Sequence, residues 1–307
     1  VAQAGFQTAI MAPTEILAFQ HAETLNKLLE PFDIKVGLLT GSVKGKNRQT
    51  LLDQIERGEV GVIVGTHALI QETVKFNKLG FVVIDEQHRF GVDQRQQLLK
   101  KSEFMPHMLA MTATPIPRSL ALTVYGELDV SILNELPKGR KPIATKIWSP
   151  NSRAQLYEKV DVEIAAGRQA YVICNLIEEN PDNEIKSVQA EYKRLQNSVF
   201  KHRRIGLLHG KLKPAEKDSV MKQFADKEID ILVSTTVVEV GVDVPNATVI
   251  IIEDADRFGL SQLHQLRGRV GRSDFQSYCY LVTSTSQKPS QRLKAVESSS
   301  DGFYLAE

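Results

Sequence analysis

Phe81-Val82-Val83-Ile84-Asp85-Glu86-Gln87-His88 decides how this chain folds. Four apolar residues, aromatic or β-branched, run straight into two carboxylates. A short continuous apolar run predicts a strand buried on both faces of a parallel sheet. The acids then fall at the carboxyl end of that strand, where open α/β sheets place their ligands. Adjacent acids at such an edge suit a magnesium nucleotide. One holds the hydrated ion while the other orients or deprotonates an attacking water. A buried strand that ends in a solvated acidic turn has the same pattern, so the rest of the chain must decide.

Working outward, strand-like runs alternate with amphipathic stretches. In the first half the predicted strands are Thr8–Met11, Lys35–Leu39, Val60–Val64, Phe81–Ile84 and Met108–Met111. Helical spacing occupies Glu15–Glu30, Gly45–Arg57 and Gln94–Lys100. This order predicts a parallel α/β sheet. Pro137-Lys138-Gly139-Arg140-Lys141-Pro142 breaks the pattern and is expected to open a linker. The second half repeats the alternation, with strands at Ala170–Cys174, Arg204–Leu208, Ile229–Ser234, Thr248–Ile252 and Ser277–Val282. Its predicted helices are Arg153–Ala166, Ile185–Phe200, Pro214–Phe224 and Leu260–Gly268. A length of 307 residues agrees with two domains. The expected division is 1–137, a linker 138–150, a second domain 151–289, and the start of a helical segment over 290–307. Two such halves imply a cleft between them.

A formal net charge of +1 gives no overall basic signature, so any nucleic-acid surface must be a local patch. Cys174 and Cys279 lie in apolar runs and are expected as buried free thiols in a reducing compartment. No apolar stretch is long enough to span a membrane, and no signal-peptide pattern occurs. The cytoplasm is the expected location.

Small hydroxyl residues follow several strands. Thr14 closes Ala12-Pro13-Thr14-Glu15 and opens a helix, where free N–H groups attract phosphate, although an N-cap needs the same residue. Thr40-Gly41-Ser42 and Gly65-Thr66-His67 let a backbone come close to a sugar-phosphate chain. Together these loops would form a track for one nucleic-acid strand. Thr112 and Thr114 follow another buried run and can hydrogen-bond neighbouring carboxylates. Thr235 closes a strand, and Asp243 after Gly241 suits a ribose hydroxyl. In Gln265-Leu266-Arg267-Gly268-Arg269-Val270-Gly271-Arg272, three arginines and two glycines occur within six residues. Arginines at this density point to a transferring γ-phosphate rather than to a core, because the planar guanidinium is always charged and offers two fixed donors. A metal hydrolase using Asp85, Glu86 and His88 is a weaker alternative, since no second histidine motif supports it.

Asp85-Glu86-Gln87-His88, Thr112-Ala113-Thr114 and Gln265–Arg272 resemble motifs II, III and VI of the superfamily 2 helicases. Ala12–Glu15, Gly65–His67 and Thr235–Asp243 are similar to motifs Ia, Ib and V. Met11–Ala18, Ile84–Val92, Leu136–Arg140 and Val238–Ala247 look most like the RecG family of bacterial branched-DNA helicases, with the transcription-repair coupling factor as runner-up. The resemblance implies two tandem RecA-like domains of the P-loop NTPase type, each a parallel sheet flanked by helices. It implies ATP and Mg²⁺ as cofactors. Asp85 would hold the ion through water and Glu86 would be the base. Gln87, His88, Thr112 and Thr114 would couple the site to motion. Gly241 and Asp243 would contact nucleotide, Gln265 would line the cleft, and Arg269 and Arg272 would be fingers. Thr14, Thr40, Gly41, Thr66 and Thr235 would touch DNA. The implied partner is branched double-stranded DNA, forks and Holliday junctions in repair and recombination, acted on by a monomer.

No G-x-x-x-x-G-K-[ST] loop occurs in the sequence. The resemblance implies that this loop and a junction-binding wedge domain precede Val1, and that a helical hairpin begins near Gln291. These residues alone are therefore expected to be inactive, and a catalytically silent nucleic-acid-binding module is the alternative function.

Overall fold

The computed structural model describes residues 1–102, 104–112, 129–131, 133, 139–174, 181–235 and 244–299. The chain divides into two compact units, Val1–Ala113 and Thr114–Glu307. The first unit contains β1 (Gln7–Met11), α1 (Glu15–Leu29), β2 (Val36–Leu39), α2 (Gly45–Glu56), β3 (Val62–Gly65), β4 (Leu79–Ile84), α3 (Val92–Leu99) and β5 (His107–Ala110). Its sheet runs β2-β3-β1-β4-β5, with every pair parallel. The second unit contains β6 (Ala144–Trp148), α4 (Arg153–Ala165), β7 (Gln169–Ile173), α5 (Pro181–Arg194), β8 (Ile205–Leu208), α6 (Pro214–Ala225), β9 (Ile231–Ser234), β10 (Ala247–Ile252), α7 (Leu260–Arg267), β11 (Tyr278–Val282) and α8 (Gln291–Ser298). Its sheet runs β6-β11-β10-β7-β9-β8, again all parallel.

Helices cover both faces of a parallel sheet, so its central strands are buried on both faces. β3, β7, β9 and β10 are buried along their whole length, whereas edge strands β2 and β8 alternate buried and half-buried residues. The expected strands and helices are recovered with their ends shifted by a few residues. One element differs in kind. The segment expected as a linker, 138–150, carries β6, paired in parallel with β11 from Ala144↔Tyr278 to Val282↔Trp148. β6 is an edge strand whose residues are half-buried or exposed, so it has no continuous apolar run to reveal it. Lys141, Pro142 and Lys146 give it the composition of a connector. Its free edge is covered by the Glu297 carboxylate, which accepts from Ile147 N at 2.9 Å.

The two units also repeat one another at several matched positions. Val36-Gly37-Leu38-Leu39 and Ile205-Gly206-Leu207-Leu208 form the corresponding edge strands β2 and β8. Ile84-Asp85-Glu86 and Ile252-Glu253-Asp254 end β4 and β10, and each leads into a 3₁₀ turn, then Arg-Phe-Gly and a short helix. In both, the glycine N–H that precedes the helix donates to a glutamine three residues on, Gly91 to Gln94 and Gly259 to Gln262, at 3.1 Å each. This bond satisfies one of the N–H groups at the helix start.

Cys174 and Cys279 are both free and buried, as expected. Complete burial pushes the Cys279 thiol up to about 12. Among the described residues, no helix is long and apolar enough to cross a membrane.

Candidate functional site

Asp85 and Glu86 stand at the carboxyl end of β4, beside β1 in the middle of the first sheet. Backbone bonds fix the acidic turn from both sides. Asp85 N donates to Met11 O at 2.9 Å, and Gln87 N donates to Met111 O at 2.9 Å. Glu86 has φ 48° and ψ 55°, in the left-handed region that non-glycine residues enter at a cost. Such strain concentrates at functional turns. Both carboxylates remain accessible, with side-chain exposures of 19% for Asp85 and 22% for Glu86. His21 Nε2 lies 2.9 Å from Asp85 Oδ2, and His88 Nδ1 lies 3.6 Å from Glu86 Oε2. Gln87 is buried, and its Oε1 accepts from Arg95 Nη1 at 3.3 Å.

The second unit has the same turn with a different outcome. Asp254 repeats the left-handed backbone of Glu86, at φ 50° and ψ 44°. Glu253, at the position of Asp85, is buried and receives Arg153 Nη2 at 2.5 Å and the Tyr157 hydroxyl at 3.4 Å. Burial raises the Glu253 carboxyl above its ordinary range, and Arg153 opposes that rise. A guanidinium held against this acid occupies the place a cation would take. Both acids of the first pair keep side-chain exposure, whereas the leading acid of the second is buried against Arg153.

The loops singled out as a nucleic-acid track follow β1, β2 and β3, which are neighbours in the sheet. Their loops therefore lie side by side along its carboxyl edge. Thr14 Oγ1 accepts from Leu17 N at 3.4 Å, so its hydroxyl serves as the N-cap of α1. Glu15, in the first turn, reaches across and accepts from Ser42 N at 3.1 Å, tying two of the loops together. Thr40 is buried and shares a 2.8 Å hydrogen bond with Ser42 Oγ. Thr66 and Thr235 occupy matching positions after β3 and β9, and both hydroxyls are buried with no hydrogen-bond partner among the described residues. Gly65 is required where it stands, because a Cβ there would meet Leu39 O at 2.2 Å. Thr112 is exposed beyond β5. Thr114, Gly241 and Asp243 lie outside the described residues, as do Pro137, Lys138 and residues 300–307.

The arginine-rich stretch is not a solvated face. Arg267 and Arg269 are both buried, Arg272 is half-buried, and Gln265 sits half-buried on α7. Arg267 has a structural role. Its Nη1 donates to Val296 O at 2.9 Å and Ser299 O at 2.6 Å, at the C-terminal end of α8. A guanidinium there satisfies carbonyls that a helix end leaves open and complements its dipole. Arg267→Ala is expected to destabilise the second unit by on the order of 3 kcal/mol, since charged hydrogen bonds are lost from a buried site. Amide exchange over α8 should accelerate; unchanged protection there would contradict this role. Gly271, at φ 79°, turns the chain after Val270 and donates its N–H to Ser277 Oγ at 3.1 Å.

Sequence patterns alone did not point to His21, Arg153 or Glu253. For His21 the available signal was the spacing of seven residues from the Thr14 cap, two helical turns along the same face of α1.

Two family models match the chain, DEAD/DEAH box helicase over residues 1–123 and Helicase conserved C-terminal domain over residues 152–274. The fold and these matches define a tandem of RecA-like helicase domains. The chain is 55% identical over 306 residues to an ATP-dependent DNA helicase RecG of Synechocystis sp., covering 99% of this chain and 37% of that protein. It is 56% identical over 310 residues to the RecG of Staphylococcus aureus, covering 44% of that protein. A solved structure of RecG bound to a three-way DNA junction superposes with a TM-score of 0.82 at 44% identity, covering 98% of this chain and 39% of that one. Over nearly its whole length the chain is similar to RecG helicases, and it spans less than half the length of the curated relatives it matches.

Proposed function

We propose that this chain is motor machinery of an ATP-dependent helicase that remodels branched double-stranded DNA. The contrast between the two strand-end acid pairs supports this most directly. Asp85 and Glu86 are accessible and rigidly placed, while Glu253 is closed by Arg153. The first unit therefore carries the hydrolytic chemistry. In this proposal Glu86 accepts the proton of the attacking water. Asp85 is the ligand, through water, of Mg²⁺, which neutralises phosphate charge when bound. The donor set fits that ion. Among the described residues no group of three or more histidine, cysteine, aspartate and glutamate side chains could cage a metal. Magnesium instead keeps most of its waters and takes one or two carboxylates.

Arg269 and Arg272 are assigned to the transferring phosphate, with Gln265, Gly241 and Asp243 as nucleotide contacts. Gln87, His88, Thr112 and Thr114 couple hydrolysis to movement. The loops bearing Thr14, Thr40, Gly41, Thr66 and Thr235 follow the DNA backbone. Where the hydroxyls are buried, backbone N–H groups are the better donors. Residues 1–307 contain no G-x-x-x-x-G-K-[ST] pattern, and in isolation they are expected not to turn over ATP.

The test uses the full-length protein. It should hydrolyse ATP when supplied with three-way-junction DNA, with junction binding that weakens steeply as salt rises. Arg272→Ala should lower kcat by about 10²-fold or more, the scale of a lost cationic donor in the transition state. Absence of DNA-stimulated hydrolysis would overturn the proposal.

A further inference from the structure

We propose that His21 is a positioning residue for Asp85 and, through it, sets the magnesium affinity of the site. This rests on the reading of Asp85 given above and adds a residue to it. α1 starts directly after β1, capped by Thr14, and its second turn brings His21 over the end of the neighbouring strand β4. There Nε2 lies 2.9 Å from Asp85 Oδ2, a contact made across 64 residues of sequence. A carboxylate only accepts, so Nε2 carries the hydrogen.

The Asp85 backbone is already held by Met11 O, and the histidine bond fixes the remaining freedom, the rotation of the carboxyl group. With Oδ2 engaged by His21, Oδ1 is left to face a hydrated cation. Magnesium demands near-ideal octahedral geometry, so the angle of its carboxylate ligand matters more than for a larger, adaptable ion. Hydrogen-bond partners of metal ligands affect metal affinity by about 10–100-fold.

The second unit shows what a stronger partner does at the corresponding turn. Arg153 meets Glu253 with a full charge at 2.5 Å and occupies it. A histidine orients the acid by one hydrogen bond and leaves the other oxygen available. His21 itself is partly exposed and Asp85 less so, with side-chain values of 33% and 19%, which suits a pair lining an accessible edge. α1 is anchored by Leu17, Ala18 and Ala22, so loss of the His21 ring does not remove the face that packs on the sheet.

The experiment compares His21→Ala, His21→Gln and Glu86→Gln in the full-length protein. Magnesium is titrated in two assays, ATP hydrolysis and binding of a fluorescent, non-hydrolysable ATP analogue. His21→Ala should raise the half-saturating magnesium concentration about tenfold or more in both, with a smaller change in kcat at saturating magnesium. His21→Gln, which keeps an N–H donor of similar reach, should recover most of the shift. A wild-type magnesium midpoint in His21→Ala, alongside an inactive Glu86→Gln, would overturn the role of His21 while leaving the acid pair intact. Full turnover by Glu86→Gln would instead remove the reading on which the role depends.

Discussion

Glu86→Gln in the full-length protein should bind ATP and junction DNA normally and hydrolyse about 10²–10⁴-fold more slowly, the range expected for loss of a general base. That loss corresponds to roughly 3–5 kcal/mol of barrier at about 1.4 kcal/mol per decade. The substitution keeps the size of the side chain and removes only its ability to take a proton. The surrounding turn does not depend on that charge. It is held by Asp85 N on Met11 O, Gln87 N on Met111 O and Arg89 N on Glu86 O, all backbone bonds between 2.8 and 2.9 Å. Gln tolerates the left-handed backbone no worse than Glu, so the fold is not a competing explanation. Asp85→Asn should behave differently, raising the magnesium requirement before it lowers the rate at saturation. Single-turnover hydrolysis together with nucleotide binding separates the two. Hydrolysis by Glu86→Gln at near wild-type rates would exclude Glu86 as the base.

Much of this architecture is readable from the sequence because parallel strands buried on both faces leave uninterrupted apolar runs. Phe81–Ile84 and Val249–Ile252 are of that kind, and β4 and β10 lie where such runs predict. β6 escaped for the opposite physical reason. An edge strand with half its surface open needs no apolar run, and its lysines and flanking proline imitate a connector. The site is legible in part. Motif order locates Asp85 and Glu86, but no local pattern distinguishes their open pair from Glu253, whose partner Arg153 is 100 residues away. His21 is hidden in the same way. Density of charge misled at Arg267, because a guanidinium can be buried where helix-end carbonyls await donors, as at Val296 and Ser299.

The duplication of the fold makes its own prediction at Gln7 and Gln169. Each glutamine begins the central strand of its sheet and is only 2% exposed. Gln7 Nε2 donates to Ile55 O at 3.0 Å and Val60 O at 2.9 Å, while its Oε1 accepts from Asn77 N at 2.7 Å. Gln169 Nε2 donates to Phe224 O at 2.6 Å and Ile229 O at 2.7 Å, while its Oε1 accepts from Asn246 Nδ2 at 2.9 Å. In both units one amide joins the last turn of a helix, α2 or α6, to the chain entering the next strand. Leucine has nearly the same volume and none of these bonds. Gln→Leu would leave the Val60 or Ile229 carbonyl without a partner, at about 1–3 kcal/mol, and remove the bonds to the helix-end carbonyl, which keeps the N–H of Gly58 or Lys227, and to Oε1, at about 1 kcal/mol each, partly offset by the apolar side chain. The expected cost is roughly 2–5 kcal/mol in the unit that carries the change, a large share of what a domain possesses. Trp148, the single tryptophan, lies in β6 and reports on the second unit. In urea, Gln169→Leu should move the Trp148 transition to lower denaturant. Gln7→Leu should leave that transition in place and split off an earlier loss of helical signal, since distant changes act independently. If Gln169→Leu unfolds with the wild-type tryptophan midpoint, the glutamine bridge is not what holds the helix to the sheet.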